Sequence, residues 1–265
     1  MNSFKNLIFT NIFIEMKKVC FLLISIFVLS FNLSAQISIK DSSIYTPYVG
    51  LSYGYQFSSG DMETRFGDNS AIGLNLDFKT KKYWSFGING SYIYGKVVKE
   101  SLFANISTPS GGIINGNGEY ADVRLFERGF TVSVTGGRMF AFKKPNPNSG
   151  FILSIGAGFI QHKIRIETIG NNVPQLSKEY KKGYDRLTNG FLLSQNLGYL
   201  YLSNNRLVNF YIGLECMQGF TQSRRSFDYD LMKKDTQKRV DILYGGKIAW
   251  ILPLYKKAPL EFYTY

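Results

Sequence analysis

Apolar and polar residues alternate one by one along much of the chain. Between Val49 and Phe57 every odd position is apolar or aromatic, and every even position is small or polar. Successive side chains of an extended strand point to opposite faces, so this segment predicts a strand with one apolar and one polar face. The same pattern predicts eight strands, at about 45–58, 71–79, 83–96, 121–142, 150–167, 188–202, 206–220 and 239–254.

The fifth predicted strand contains a break in this alternation. Its apolar residues occupy odd positions up to Phe159 and even positions from Ile160 onward, as at Ile164 and Ile166. A β-bulge inserts one extra residue into a strand and would produce such a change. The sequence therefore predicts a bulge near Ile160.

The connections between the predicted strands alternate in length. Long connections at roughly 59–70, 97–120, 168–187 and 221–238 alternate with short ones at 80–82, 143–149 and 203–205. Outer-membrane barrels have an even number of strands, short periplasmic turns and long external loops. The order predicts an all-β fold, an eight-stranded antiparallel transmembrane β-barrel that forms an up-and-down meander. A count of ten strands stays open.

A soluble β-sandwich would also show alternating strands. It gives no reason for the regular order of long and short connections, or for aromatic residues near strand ends. A barrel explains both, because aromatic girdles mark the two membrane interfaces. The predicted girdle residues are Tyr48, Trp84, Tyr94, Tyr199 and Trp250.

The amino-terminal segment resembles an export signal. An apolar run over 19–33 follows a pair of lysines and ends just before Ala35. A basic region, an apolar region and a small residue before the cleavage point define a secretory signal peptide, and a permanent helical anchor is the alternative. The predicted organisation is a signal peptide over 1–35, with Met16 as an alternative start, and an outer-membrane barrel domain over 36–265.

The composition favours strands. The chain of 265 residues contains 18 Tyr, 22 Phe and 26 Gly, and aromatic residues make up 16% of it. Aromatic residues are enriched in strands, and beyond the signal no apolar run reaches the ~18 residues that a membrane helix needs. Cys20 belongs to the predicted signal, so Cys216 is the only thiol of the mature chain. This count excludes an intramolecular disulfide and a thiolate metal cluster.

The net charge of +12 bears on the partners. An exported basic protein meets anionic lipid headgroups and lipopolysaccharide, which we expect as its surroundings. The sequence contains no basic helix pattern, so nucleic acid is not an expected partner. Asp228, Asp230 and Asp235 lack the spacing of a calcium loop and are expected to be solvated. We expect no metal and no cofactor.

A known family shares several of these features. A signal ending in Ser34-Ala35-Gln36, alternating strands rich in Tyr and Gly, and an aromatic end over 262–265 resemble the small outer-membrane β-barrels of Bacteroidota. These are often labelled PorT-like or "outer membrane protein beta-barrel domain". The resemblance covers roughly 36–265 and implies an outer-membrane location and, for the PorT type, an association with the type IX secretion apparatus. Three further segments look characteristic of the family without suggesting a chemistry, at 145–150, 161–164 and 183–190.

His162 is the only histidine and therefore the one candidate for catalysis. An outer-membrane lipid-modifying enzyme would pair it with a serine and a carboxylate, and Ser154 or Ser194 on neighbouring segments could approach it. No serine shares its strand in register. We therefore expect a polar residue near the external end of the fifth strand, and a chain that is not an enzyme.

The polar strand positions are expected to fill the lumen. Eight strands enclose an interior just wide enough for side chains, so charges inside it need partners. The candidates for lumenal ion pairs are Asp77, Glu215, Asp241 and Lys247. Glu215 and Lys247 lie on adjacent predicted strands and form the expected pair, with Asp241 as a rival partner of Lys247. A narrow polar channel for small solutes is the alternative to a filled lumen.

Basic residues in the long loops are candidates for contact with lipopolysaccharide phosphates. They are Arg186, Arg224, Arg225, Lys233 and Lys234. The alternative for all five is ordinary solvated charge. The sequence thus predicts a structural or interaction protein of the outer membrane that works through its loops, with a secretion complex or another envelope protein as a partner.

Overall fold

The computed structural model describes residues 42–142, 145–170, 173–203 and 208–254. Eight antiparallel strands close into one barrel, in which each strand pairs with its neighbours in sequence and β1 pairs with β8. The strands are β1 Thr46–Gly60, β2 Asn69–Lys79, β3 Trp84–Gly95, β4 Val123–Ala141, β5 Gly150–Thr168, β6 Thr188–Leu202, β7 Asn209–Ser223 and β8 Lys238–Pro253. The predicted fold and strand count are confirmed, whereas the predicted signal at 1–35 and the aromatic segment at 262–265 lie outside the described residues.

Long and short connections leave opposite ends of the barrel. We call the end that carries the described residues 61–68, 96–122, 169–170, 173–187 and 224–237 the loop end. The end that carries 80–83, 142, 145–149, 203 and 208 is the turn end. The loop end contains one short α-helix, α1 (Asp61–Arg65), and two 3₁₀ helices, Pro174–Leu176 and Tyr180–Gly183. Among the described residues, no helix is long and apolar enough to cross a membrane.

The outer surface of the barrel is apolar because side chains alternate between inward and outward along each strand, and the outward positions are mostly apolar. In β1, Leu51, Tyr53 and Phe57 each expose 42–53% of their surface, whereas Ser52 and Gln56 expose at most 4%. We call the outward set the apolar belt. Its aliphatic members include Ile72, Leu74, Leu76, Ile88, Val132, Val134, Leu153, Ile155, Leu197, Ile212, Leu214 and Ile248.

Aromatic residues border the apolar belt at both ends. At the turn end they include Trp84, Phe140, Phe151, Phe210 and Trp250, and at the loop end Phe57, Tyr92, Phe130, Phe159, Phe191 and Phe220. The predicted girdle position of Tyr48 is wrong. Its side chain is only 6% exposed and faces the lumen, because Tyr48 occupies an even, inward position of β1.

The predicted bulge near Ile160 is also wrong. β4 and β5 pair without interruption from Val123↔Thr168 to Ala141↔Gly150. Ile160, Ile164 and Ile166 occupy even positions that point inward, as do the small residues nearer the turn end. The change therefore lies in what fills the lumen, which becomes apolar toward the loop end.

A hydrophobic core closes the lumen at the loop end. Strand residues that point inward meet residues from the long connections, and the buried members include Met62, Phe66, Ile93, Leu102, Ile113, Ile160, Ile164, Val173, Leu176, Tyr184, Leu192, Met217 and Leu243. Burial of each such side chain contributes about 1.5–3 kcal/mol. The long loops are thus packed into and over the barrel.

Candidate functional site

The structure brings together Glu215 and Lys247, the ion pair that the sequence predicted. Lys247 Nζ lies 2.8 Å from Glu215 Oε2, and Gln56 Nε2 donates to Glu215 Oε1 at 3.3 Å. Both charged side chains are nearly buried in the lumen. Each is paired across the sheet with a glycine, Glu215 with Gly245 and Lys247 with Gly213, which leaves space for the long side chains.

Asp77 lies nearer the turn end and lines a small polar cavity. The cavity has a volume of about 60 Å³ and is also lined by Tyr48, Asn89, Tyr211 and Lys247. A water molecule needs roughly 10–15 Å³ by this measure, so the cavity has room for only a few waters. Lys247 thus lies between two lumenal carboxylates, with Glu215 as its direct partner.

The rival pairing of Asp241 with Lys247 is wrong. Asp241 lies six residues away along β8, a separation of roughly 20 Å in an extended strand. Asp241 Oδ2 instead lies 2.8 Å from His162 Nε2 and accepts a hydrogen bond from Thr221 Oγ1 at 2.5 Å. Because an ionised carboxylate only accepts, His162 Nε2 is the donor. This contact joins β5 to β8 across the lumen.

His162 lies at the loop end of β5, as predicted, but it is fully buried. The Phe66 ring covers it edge-on, with ring centroids 5.5 Å apart. Across the sheet His162 pairs with Thr188, and Ser194 follows six residues later, roughly 20 Å away along β6. Ser154 lies eight residues back along β5 itself. The serine–histidine arrangements considered from the sequence therefore do not form.

Arg65 connects three of the long loops. Its buried guanidinium contacts Glu100 (3.4 Å), Thr188 Oγ1 (3.3 Å) and the Arg186 carbonyl (3.2 Å). Burial lowers the pKa of Arg65, and the Glu100 carboxylate opposes this effect. The side chain leaves α1 and enters the barrel mouth, so the first long connection is tied to the second and third.

Arg186 is the centre of a second buried group. Its guanidinium forms ion pairs with Asp228 and, at 2.8 Å, with Asp230. Glu100 Oε1 lies 3.5 Å from Arg186 Nε, so Arg65 and Arg186 share this carboxylate. Burial raises the pKa of Asp230, and Arg186 opposes the rise. We call Arg65, Glu100, Asp185, Arg186, Arg225, Asp228 and Asp230 the arginine network.

The arginine network corrects several predictions. Arg186 is buried and paired, so it is not an external contact for lipopolysaccharide. Arg225 Nε donates to Asp185 at 2.7 Å. The aspartates expected to be solvated are paired as well, Asp228 and Asp230 with Arg186 and Asp235 with Arg239 at 2.7 Å. The sequence suggested no chemistry for the segment 183–190. In the structure its residues Asp185 and Arg186 connect the long loops.

Three of the five predicted lipid-contacting residues remain exposed. Lys233 and Lys234 lie on the surface of the last long connection. Arg224 is exposed too, and its Nε donates to Asn189 Oδ1 at 2.5 Å. None of these three residues forms an ion pair with an acidic residue of the described chain.

The turn end contains a group that sequence reasoning missed. Asn146, Asn148 and Ser149 are buried, although their turn joins two strands on the surface. Asn146 Nδ2 donates to the Leu202 carbonyl at 2.6 Å, and Asn148 Oδ1 accepts from the Ile44 amide at 2.9 Å. The Pro-Asn-Pro-Asn-Ser sequence was the available signal, but its partners lie too far away in sequence to be inferred.

Lys79 completes the closure of the turn end. Its buried ammonium donates to the Ile44 carbonyl at 2.9 Å and to Ser43 Oγ at 3.0 Å. The extended segment 42–45 is therefore held across the barrel mouth by Lys79 on one side and Asn148 on the other.

Of three comparisons with known proteins, only the one with solved structures gives matches. Comparison with models of known protein families gives no match. Comparison with curated proteins also gives no match. Among solved structures, the chain is similar to Ail, the attachment invasion locus protein of Yersinia pestis, in complex with the heparin analogue sucrose octasulfate. The identity is 10%, the coverage is 78% of this chain and 99% of that chain, and the TM-score is 0.38.

A second solved structure is similar at the same level. The outer membrane protein OprG from Pseudomonas aeruginosa is 11% identical, with 80% of this chain and 98% of that chain covered and a TM-score of 0.32. Identity this low says nothing about function. The PorT-like family of the chain stays a prediction.

We expect strong coupling between Glu215 and Lys247. Lys247→Met leaves the Glu215 carboxylate buried without its cation and should lower the unfolding free energy by about 3–5 kcal/mol. Adding Glu215→Gln to this variant should recover most of the loss. Urea unfolding of the single and double variants in lipid vesicles measures both effects, and additive losses would contradict the buried pair.

Arg186→Gln should loosen the loop end. It leaves Asp228 and Asp230 with no guanidinium, and breaking a buried ion pair costs about 3–5 kcal/mol. We expect faster protease cleavage within 224–237 while the barrel stays folded. Lys233→Gln removes one exposed charge from the same connection and serves as the control, for which we expect no change. Equal cleavage of both variants would contradict the role of Arg186.

Proposed function

We propose that this chain is an integral outer-membrane β-barrel that acts as a structural or interaction protein and not as an enzyme. The observation that carries the proposal is the apolar belt. Leu74, Val134, Leu214 and Ile155 expose 61–69% of their surface on a closed barrel whose interior is polar or filled. Soluble monomers do not carry continuous apolar surfaces of this extent, whereas lipid-facing strands require them.

The connections set the orientation that we propose. Short turns of outer-membrane barrels face the periplasm and long loops face the exterior. The loop end, with the hydrophobic core and the arginine network, is then the external surface. The turn end, with the held segment 42–45, faces the periplasm.

Several contacts support a closed barrel over a solute channel. The hydrophobic core fills the loop end, and the polar cavity beside Asp77 measures only about 60 Å³. Asn146, Asn148 and Lys79 bind the segment that crosses the turn end. A lipid-modifying enzyme receives less support, because His162 is buried beneath Phe66 and faces Asp241.

The loops also offer a surface for a partner. Apolar residues of the third and fourth long connections are exposed, although other apolar residues of the third connection, such as Leu176 and Tyr184, are buried. We call four of the exposed residues the tip patch: Tyr180, Phe227, Leu231 and Met232. Exposed apolar patches on loops favour protein contact. Following the resemblance to PorT-like barrels, we propose a secretion complex or another envelope protein as the partner.

Leu214→Arg tests the membrane location. An arginine near the bilayer centre of a barrel costs about 2–4 kcal/mol. We expect a lower folded fraction in phospholipid vesicles, measured by the heat-dependent band shift in gel electrophoresis. The control is Leu231→Arg, the same exchange in the tip patch, which should fold like the wild type. Recovery of the wild-type chain in the soluble periplasmic fraction would refute the location.

Capture from native membranes tests the interaction. The tagged full chain should retain envelope proteins that the variant Leu231→Asp/Met232→Asp loses, because charge opposes burial of the tip patch. Lys233→Gln/Lys234→Gln changes the neighbouring charges and should retain the partners. Identical partners for all three chains, compared by mass spectrometry, would exclude the tip patch as the contact.

A further inference from the structure

We infer that the outer surface of β4 and β5, just beyond the apolar belt at the loop end, binds the phosphate groups of lipopolysaccharide through Arg128 and Lys163. This site differs from the loop residues that the sequence suggested. The inference rests on the membrane location proposed above, because only that location brings a phosphorylated lipid to this surface.

The sheet register places the two cations side by side. Arg128 of β4 pairs directly with Lys163 of β5, and both side chains point outward. Directly opposite residues have Cβ atoms about 4.5–5.5 Å apart, and like charges in such a pair destabilise a sheet. An anion bound between them removes this repulsion.

Two other cations near the loop end of these strands, Arg124 and Arg165, have their own carboxylates. Arg124 lies 3.0 Å from Asp122, and Arg165 lies 2.8 Å from Glu167. Within the described part of the chain, neither Arg128 nor Lys163 has an acidic group within ion-pair distance. These two charges are therefore available to an external anion.

Arg128 is held in place by its surroundings. Its Nη1 donates to the carbonyls of Glu127 (2.6 Å) and Gly95 (3.3 Å), and its guanidinium carbon lies 5.0 Å from the centre of the Phe126 ring. These contacts fix the guanidinium against the strand and leave its other N–H groups for a ligand. A fixed guanidinium forms strong charge-assisted bonds with phosphate oxygens.

The height of the pair on the barrel fits a lipid headgroup. The rings of Phe130 on β4 and Phe159 on β5 lie 5.9 Å apart and belong to the aromatic margin at the loop end. Arg128 lies two residues from Phe130, on the side nearer the loop end. Aromatic margins lie at the headgroup level of a membrane. Gln161, which pairs with Phe130, and Tyr94, which pairs with Arg128, add polar groups at the same level.

The surface below the aromatic pair suits acyl chains. Val134 of β4 pairs with Ala157 of β5, and Gly136 pairs with Ile155. Val134 and Ile155 expose 62% and 69% of their surface, so the outer face beneath Phe130 and Phe159 is apolar. A cationic pair above and an apolar face below match an amphipathic lipid better than a free anion.

The test compares two double variants that remove the same charge. Arg128→Gln/Lys163→Gln removes the proposed site, whereas Arg124→Gln/Arg165→Gln removes two outward charges from the same strands that already have carboxylate partners. Each chain is folded in uncharged detergent, and its thermal unfolding midpoint is measured with and without lipopolysaccharide. We expect lipopolysaccharide to raise the midpoint of the wild type and of the control, and the site variant to lose most of this rise.

Further arms identify the ligand. Dephosphorylated lipid A should give little rise, and inorganic phosphate should give none. The inference fails if the site variant keeps the full rise, if dephosphorylated lipid A is as effective, or if inorganic phosphate alone reproduces the effect. If the double variant does not fold, Lys163→Gln alone tests the inference, because it changes a single exposed residue. We expect lipopolysaccharide to raise the unfolding midpoint of this variant less than that of the wild type, and an equal rise would refute the site.

Insertion into vesicles without lipopolysaccharide separates this inference from the proposed location. If the wild type inserts and shows no lipopolysaccharide-dependent rise, only the phosphate site is refuted. If the wild type does not insert, the location itself is refuted.

Discussion

Closure of the sheet by β1 and β8 is the constraint on which the other features depend. The two strands pair from Tyr48↔Pro253 to Gly60↔Asp241, so the sheet has no free edge. In lipid an unpaired backbone group has no water to bind, and a closed barrel satisfies every strand. Closure also fixes the parity of each strand, because a shift by one residue would turn all its side chains to the wrong face.

Fixed parity explains why the lumen is divided into two different halves. Toward the turn end polar inward residues such as Ser85 and Thr135 lie beside apolar ones such as Ile152 and Ile251, and the Glu215–Lys247 pair is accommodated opposite glycines. Near the loop end the same inward positions carry Ile160 and Ile164, which pack against the long connections. The buried His162–Asp241 contact lies within this second half and bridges the barrel from β5 to β8. On β5, for example, the outward side chains belong to the apolar belt, whereas the inward ones line the polar lumen or join the hydrophobic core.

The strands were predictable from the sequence because their signal is local. A period of two and the alternating loop lengths depend on neighbouring residues, and they located all eight strands to within a few positions. The Glu215–Lys247 pair was predictable because consecutive strands of a meander are adjacent. The interpretation of Ile160 as a bulge was wrong because a period cannot distinguish a shifted strand from a changed environment.

The loop end was not predictable for a different physical reason. Arg186 binds carboxylates 42 and 44 positions later in the chain, and Arg65 binds the Arg186 carbonyl 121 positions away. No periodicity relates such residues, so exposed arginines and buried ones look alike in the sequence. The location of Arg128 beside Lys163 became visible only once the register of β4 and β5 was known.

The held segment at the turn end has a consequence for the order of assembly. The Ile44 amide donates to the side chain of Asn148, 104 positions later, and Lys79 of β2 donates to the Ile44 carbonyl. Contacts between such distant positions form only after the intervening chain has been ordered. The turn end can therefore close only when the segment before β1 and the turn between β4 and β5 are both in place, which makes its closure a late step of folding and a marker of a completed barrel.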